Sequence, residues 1–515
     1  MKTQQPLNIR LMLLLILLVS VAKIVLINKG FLAFPDEGRY RAAGQILKSL
    51  ANADWHAAIE FLFSTKGRPG DTTLKIVPTV LQYGNASLFG LEIYEPANSW
   101  PVFAYNLAIH ALLLLLHYRV SRHFLKDRFL ALFSVLVFAT LVVSYISLRH
   151  ADPYDASLLI LYYVFYKLVS TNGVTTRKMF VYGGLAFFGY LCYPGYVLLF
   201  LAIPLVYLIR KISTSGSAKA FSRVLAFAAG SSVCLVVFEA LAQIGGTSFI
   251  KNSLLLSGTI VQGSFEECFS FVFRYLCEAE GINGVFLIIG LCLFSVLFVR
   301  NIRSVASEPM YLTFAVLLLL FVAYSAAGFY GHKVVWYARL LKQFLPFLVI
   351  FTIFAIAAIA GSFRARPIVT TCIVFAVSAT LAVAFALQLN AYRQYTYPKD
   401  VAWEYYNKYR FKSAATVSEY SRARPDMPNF SIVKKKFPRE NAPGLVFVNV
   451  TDIYPFNDIE NYHQYLPDAD ERLLFSGESC LNFKPYQFEA YDIWARKNLD
   501  EAKLRIKVYR KQGAR

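Results

Sequence analysis

Two adjacent carboxylates, Asp36 and Glu37, stand in Phe34-Pro35-Asp36-Glu37-Gly38-Arg39-Tyr40, just past an apolar run over residues 11–28. An ionisable pair where a chain leaves a bilayer costs free energy unless water, a cation or a reaction employs it. Asp36 has the chemistry of a base or acceptor-orienting group, with Glu37 in support; the blander role is to cap the positive end of the next helix. A second set is cationic: His332, Lys333, Arg339 and Lys342 lie close together, and Arg68 stands in Lys66-Gly67-Arg68-Pro69-Gly70. Arg and Lys can stabilise charge growing on a leaving phosphate in a partly dry site, or simply snorkel at span ends. A third set, Arg149, Asp152 and Asp155 with Tyr193, Tyr337 and Glu239, offers substrate contacts. Its blander roles are mutual ion pairing, an aromatic belt including Tyr196, and for Glu239 a buried, hydrogen-bonded acid.

These groups need elements that bring them together. Of the 515 residues, 57% are hydrophobic, and the mean hydropathy is +0.47. Soluble domains are nearer 45–50% apolar on a comparable count. Apolar runs near 11–28, 101–118, 129–147, 155–170, 179–192, 195–210, 222–243, 283–300, 310–328, 341–362 and 367–389 give eleven spans. Several approach the roughly 18–20 residues that cross a bilayer. The stretch Cys192-Tyr193-Pro194-Gly195-Tyr196 divides the fifth from the sixth, because one helix over 179–210 would be about 48 Å long, beyond a hydrocarbon core of about 30 Å. The expected fold is all-α and polytopic. The first run reads as an uncleaved signal anchor, since Lys23, Asn28 and Lys29 stand where a small-residue cleavage site would be.

The net charge of +20 suggests nucleic acid, but Lys and Arg concentrate in short loops between apolar runs and so set orientation instead. Loops with Arg119, Arg122, Lys126 and Arg128; Arg177 and Lys178; Arg210, Lys211, Lys219 and Arg223; Arg300 and Arg303; and Arg364 and Arg366 alternate with less basic ones. The positive-inside rule puts them in the cytoplasm with the N-terminus. The other loops, and everything after residue 390, then face outward, so the three chemical sets gather at one membrane face. Residues 37–62, 72–93 and 264–280 read as helices lying on the membrane surface.

After residue 390 Tyr, Asn, Pro and charge replace the apolar runs. Residues 391–515 are long enough for a small α/β domain. Strands are expected at 445–450 and 504–509, and helices at 399–411 and 486–498. Lys434-Lys435-Lys436 reads as a solvated patch. Cys268 and Cys277 share one outer loop; in a continuous helix they would be about 13 Å apart, too far for a bridge, so two free thiols are expected. No Cys/His cluster suggests a metal, and no cofactor is expected.

The combination suits sugar transfer from a lipid phosphate: the leaving group is already anionic, so cations and one acceptor base suffice. The segment around Asp36, together with Arg149-His150-Ala151-Asp152-Pro153-Tyr154-Asp155 and Trp336-Tyr337-Ala338-Arg339-Leu340-Leu341-Lys342 through Pro346, resembles the GT-C glycosyltransferases, and most the superfamily of protein O-mannosyltransferases and lipid A aminoarabinose transferases. The resemblance covers residues 1–390. Where that family often has a His-Pro-Pro-like stretch in the first loop, this chain has Arg68-Pro69-Gly70. The resemblance implies an inverting transferase in a bacterial inner or plasma membrane, with outer loop 29–100 carrying interfacial helices. It would take a polyprenyl-phosphate-linked sugar to a protein, lipid or glycan acceptor on the extracytoplasmic face. Alternatives are a lipid-linked oligosaccharide transporter or flippase, and a glycan polymerase.

Overall fold

The computed structural model describes residues 4–25, 43–64, 76–90, 100–149, 154–171, 173–259, 265, 267–362 and 367–393, and the backbone of four strands within 417–511. Its architecture is that of a polytopic membrane protein. Among the described residues, seven helices are long and apolar enough to cross a membrane: Leu7–Val25, Trp100–Leu125, Pro194–Ile212, Ser217–Ile244, Gly281–Arg300, Pro309–Phe329 and Thr371–Leu389. Large apolar side chains such as Val236, Ile244 and Leu319 point away from the protein, as a lipid-facing surface requires.

The helices in chain order are α1 (Gln4–Val25), α2 (Ala43–Ala51), α3 (Trp55–Phe63), α4 (Ile76–Phe89), α5 (Trp100–Leu125), α6 (Arg128–Ala139), α7 (Val142–Arg149), α8 (Tyr154–Ser170) and α9 (Thr176–Cys192). They continue as α10 (Val197–Ser215), α11 (Ser217–Ile244), α12 (Phe249–Thr259), α13 (Phe271–Glu278), α14 (Gly281–Arg300), α15 (Pro309–Phe329), α16 (Ala338–Leu341), α17 (Leu345–Ser362) and α18 (Pro367–Arg393). Local chemistry sets many of the starts. Asp54 and Asp127 accept the Ala57 and Leu130 amides at 2.9 Å, capping α3 and α6. Pro309 opens α15, where its missing N–H costs nothing.

The chain does divide at Pro194: α9 stops at Cys192, and a 3-10 turn over Pro194–Tyr196 leads into α10. The expectation of one continuous helix over 129–147 needs correction, because α6 ends at Ala139 and α7 begins at Val142. The run expected at 341–362 is likewise interrupted between α16 and α17.

One contiguous core joins residues from α1, α5 to α11 and α13 to α18. α9 and α11 cross at glycines: a Cβ on Gly183 would run into the Phe227 carbonyl, and one on Gly230 into that of Phe180. The Ser231 hydroxyl donates to the Gly183 carbonyl at 2.9 Å across this contact. Small residues with a polar cross-link are a normal way for helices to associate in lipid.

The C-terminal strands are β1 (Val417–Glu419), β2 (Leu445–Thr451), β3 (Glu471–Cys480) and β4 (Lys503–Lys511), in one sheet of order β1-β2-β4-β3. β1 pairs parallel with β2, and β4 pairs antiparallel with both β2 and β3. β2 and β4 cover both expected strands, while the expected helices at 399–411 and 486–498 lie outside the described residues.

Candidate functional site

Asp155 lies in the first turn of α8, where the partial positive charge of the helix start favours a carboxylate. It is buried, and it forms an ion pair with Lys342, which is also buried. Lys342 follows α16 directly and donates as well to the Ser147 hydroxyl on α7. Three separate elements thus meet on one ammonium group. Three donors on Lys and several acceptor positions on Asp allow such a contact to be shared.

Arg339 lies one helical turn before Lys342 and is half-buried. Its guanidinium donates to the Tyr154 hydroxyl at 3.4 Å and sits 5.2 Å from the centre of the Tyr337 ring. The Tyr193 ring packs against Tyr154 and Tyr196, with centroids 4.5 and 4.9 Å away. Gln343 ties this corner to the Pro194 turn: its carbonyl accepts the Leu199 amide at 2.9 Å, and its amide donates to the Leu340 carbonyl at 2.8 Å. Asp155, Lys342, Arg339, Tyr337 and Tyr193 are therefore gathered at one end of the bundle.

Other candidates are placed elsewhere. Glu239 accepts the Gln243 amide at 2.7 Å and the Ile250 backbone amide at 2.9 Å, which joins α11 to α12 and makes no contact with the Asp155 centre. His332 and Lys333 are exposed; His332 has φ 49°, a left-handed conformation uncommon outside glycine, and its ring packs edge-on to Phe265 at 4.6 Å. Arg149 ends α7, and its side chain lies outside the described part of the structure. Asp36, Glu37, Arg68 and Asp152 lie outside the described residues. Cys268 and Cys277 are free thiols. Among the described residues, no three His, Cys, Asp or Glu side chains gather as metal ligands.

Behind Asp155 and Lys342 lies a buried polar layer that sequence reasoning missed. Lys23, near the end of α1, is fully enclosed. It donates to the Ser144 hydroxyl on α7 at 2.6 Å and lies 3.2 Å from His110 Nε2 on α5. Asp155 and Glu280 attract its charge at longer range, and Lys342 repels it. With Lys23 donating to Nε2, the proton of a neutral imidazole rests on Nδ1, and that atom has no hydrogen-bond partner. His117, two turns further along α5, contrasts with it: both its nitrogens are satisfied, by Tyr162 at 3.1 Å and Ser134 at 2.9 Å.

The chain matches no family model and no curated protein. The chemistry must therefore be read from the centre itself. It offers a buried acid–base pair, a more accessible guanidinium beside two tyrosines, and a polar floor of Lys23, His110 and Ser144. The Lys342 ammonium directs donors to Asp155 and Ser147 and can lend its charge to an anionic oxygen nearby.

Proposed function

We propose that this chain is an integral-membrane glycosyltransferase that moves a sugar from a polyprenyl-phosphate-linked donor to a protein, lipid or glycan acceptor. The observation that carries this reading is the convergence of Asp155, Arg339 and Lys342, from segments far apart in the chain, at one end of an apolar helical bundle. Arg339, partly accessible and flanked by Tyr154 and Tyr337, is the group best placed to receive the donor phosphate. Lys342 lends charge from behind. Tyr193 and Tyr337 supply ring surface for a sugar, and Asp155 holds the lysine in place.

The acceptor base in this reading is Asp36, supported by Glu37, with Arg68 from the same loop as a further phosphate ligand. Direct displacement by the acceptor oxygen inverts the anomeric carbon, and the phosphate leaves without a proton. Eleven spans place the N-terminus in the cytoplasm and the reaction on the extracytoplasmic face. Residues 391–515 then form a small outer α/β domain around the four-stranded sheet.

Membranes carrying the full chain and a labelled lipid-linked sugar provide the test. Asp36→Asn is expected to lower turnover by about 100-fold or more, the usual contribution of a positioned base. Arg339→Ala is expected to cost a similar factor through the leaving phosphate. Turnover of Asp36→Asn within a few-fold of the parent would remove the assignment of the base.

One observation favours a rival reading as a lipid-linked sugar transporter: α6 and α7 are two halves of an interrupted helix, a device common at transport sites. In such sites the free helix start faces the substrate, whereas here the Glu280 carboxylate already occupies it. Movement of lipid-linked sugar across vesicles with no new glycosidic bond would select the transporter.

A further inference from the structure

The break between α6 and α7 exposes backbone groups that a continuous helix would satisfy. The Leu136, Val137 and Phe138 carbonyls keep the Thr140 and Leu141 amides in a tightened last turn, and the Ser144 amide finds Leu141; the Val142 and Val143 amides and the Thr140 carbonyl are the groups the break takes out of the helical ladder. In a bundle surrounded by lipid, each such group left alone is costly. The sequence across the break, Phe138-Ala139-Thr140-Leu141-Val142-Val143, contains neither Pro nor Gly. Locally, the Thr140 hydroxyl donates to the Val137 carbonyl at 2.9 Å and the Ser144 hydroxyl to the Leu141 carbonyl at 2.6 Å; the partners of the Val142 and Val143 amides and of the Thr140 carbonyl come from far away in the chain.

Glu280 is fully buried and stands just before α14. It occupies the N-cap position of α14 but makes no capping bond to that helix. Its carboxylate instead accepts the Val142 amide at 2.6 Å and the Val143 amide at 3.1 Å, 138 residues away in the first case. The Tyr275 hydroxyl on α13 donates a third bond at 3.0 Å. Three residues later, one helical turn on, Asn283 donates to the Thr140 carbonyl at 2.7 Å. An acceptor thus meets the amide end of the break, and a donor meets the carbonyl end. Gly281 between them has φ +57°, and a Cβ there would collide with Gln388, so the corner tolerates little else.

The half-helix fixed in this way carries Ser144, which touches Lys23, and Ser147, which touches Lys342. We infer that Glu280 and Asn283 clamp the two ends of the broken helix and are thereby positioning residues for the Asp155–Lys342 centre. The structural part of this inference stands by itself; its catalytic consequence rests on the transfer reaction proposed above.

Full-length protein in lipid nanodiscs allows the two parts to be tested separately. Amide hydrogen exchange is followed over Val142–Ser147 and, as a reference, over α9. Glu280→Gln is expected to speed exchange in Val142–Ser147 by about tenfold or more and leave α9 unchanged, because local opening is read element by element. Asn283→Asp, which sets a carboxylate against the Thr140 carbonyl, should do the same. Glu280→Asp, which keeps the charge, should return most of the protection. Asn283→Ala keeps the test readable if Glu280→Gln does not fold. Unchanged exchange in both Glu280→Gln and Asn283→Asp would overturn the clamp, as would an equal rise in α9.

In the transfer assay Glu280→Gln should lower kcat about tenfold, with KM for the lipid donor within about twofold and recovery in Glu280→Asp. Faster exchange with unaltered kcat would overturn the positioning role. A parent protein that transfers no sugar defeats the proposed function, and the exchange data still decide the clamp.

Discussion

Lys342 shows how a single side chain can hold the centre together. It is enclosed, and its ammonium is shared between Asp155 and Ser147. Lys342→Met leaves the buried Asp155 carboxylate without its ion-pair partner, a lesion that costs about 3–5 kcal/mol. Asp155→Leu should cost a comparable amount. The double variant should cost clearly less than the two singles added, because both charges leave together. Thermal unfolding of the detergent-solubilised protein measures all three. Asp155, Arg339, Tyr337 and Lys342 could be picked from sequence, because charged or hydroxylated groups at the ends of apolar runs stand out. Lys23, His110 and Glu280 could not. Lys23 reads as the charged flank of a signal anchor, His110 as one polar residue on an apolar helix, and Glu280 as a loop acid. Their importance arises only from contacts across the fold, such as the 87 residues between Lys23 and His110.

At the scale of elements, apolar length was a good guide to where helices run and a poor one to where they stop. The division at Pro194 was legible because Pro and Gly mark it locally. The break after Ala139 was not, because Glu280 and Asn283 impose it from another helix. The crossing of α9 and α11 was equally silent, since Gly183 and Gly230 are ordinary in apolar helices and only the meeting of the two gives them meaning. That crossing supports a direct prediction. Gly230→Ala should destabilise by about 1–3 kcal/mol, as overpacking does, and Gly230→Leu should abolish the monodisperse protein. Size-exclusion chromatography of the solubilised variants reads both. In the sheet, β4 announced itself through the alternation of Leu504, Ile506 and Val508, whereas β1 spans only Val417–Glu419 and is too short to carry a pattern.

For the whole molecule, orientation follows from charge rather than from packing. Ser307 and Tyr330 are both exposed and lie at opposite ends of α15. With all seven native cysteines replaced, Tyr330→Cys should react with an impermeant maleimide on intact cells, and Ser307→Cys only after permeabilisation. The reverse pattern would turn the bundle over and place the reaction inside. The class of molecule was legible because a bilayer demands long apolar runs, a signal that survives any detail of packing. The ion pair at the centre has a further consequence, for how the protein is made. Ser147 and its neighbour Asp155 reach the membrane early in synthesis, while Lys342, 195 residues beyond Ser147, arrives late. A polypeptide halted between residues 155 and 342 therefore holds the Asp155 carboxylate without its ion-pair partner, with only the longer-range attraction of Lys23. Completion of translation supplies Lys342, so chains truncated before it are expected to be less stable in the membrane than the finished protein.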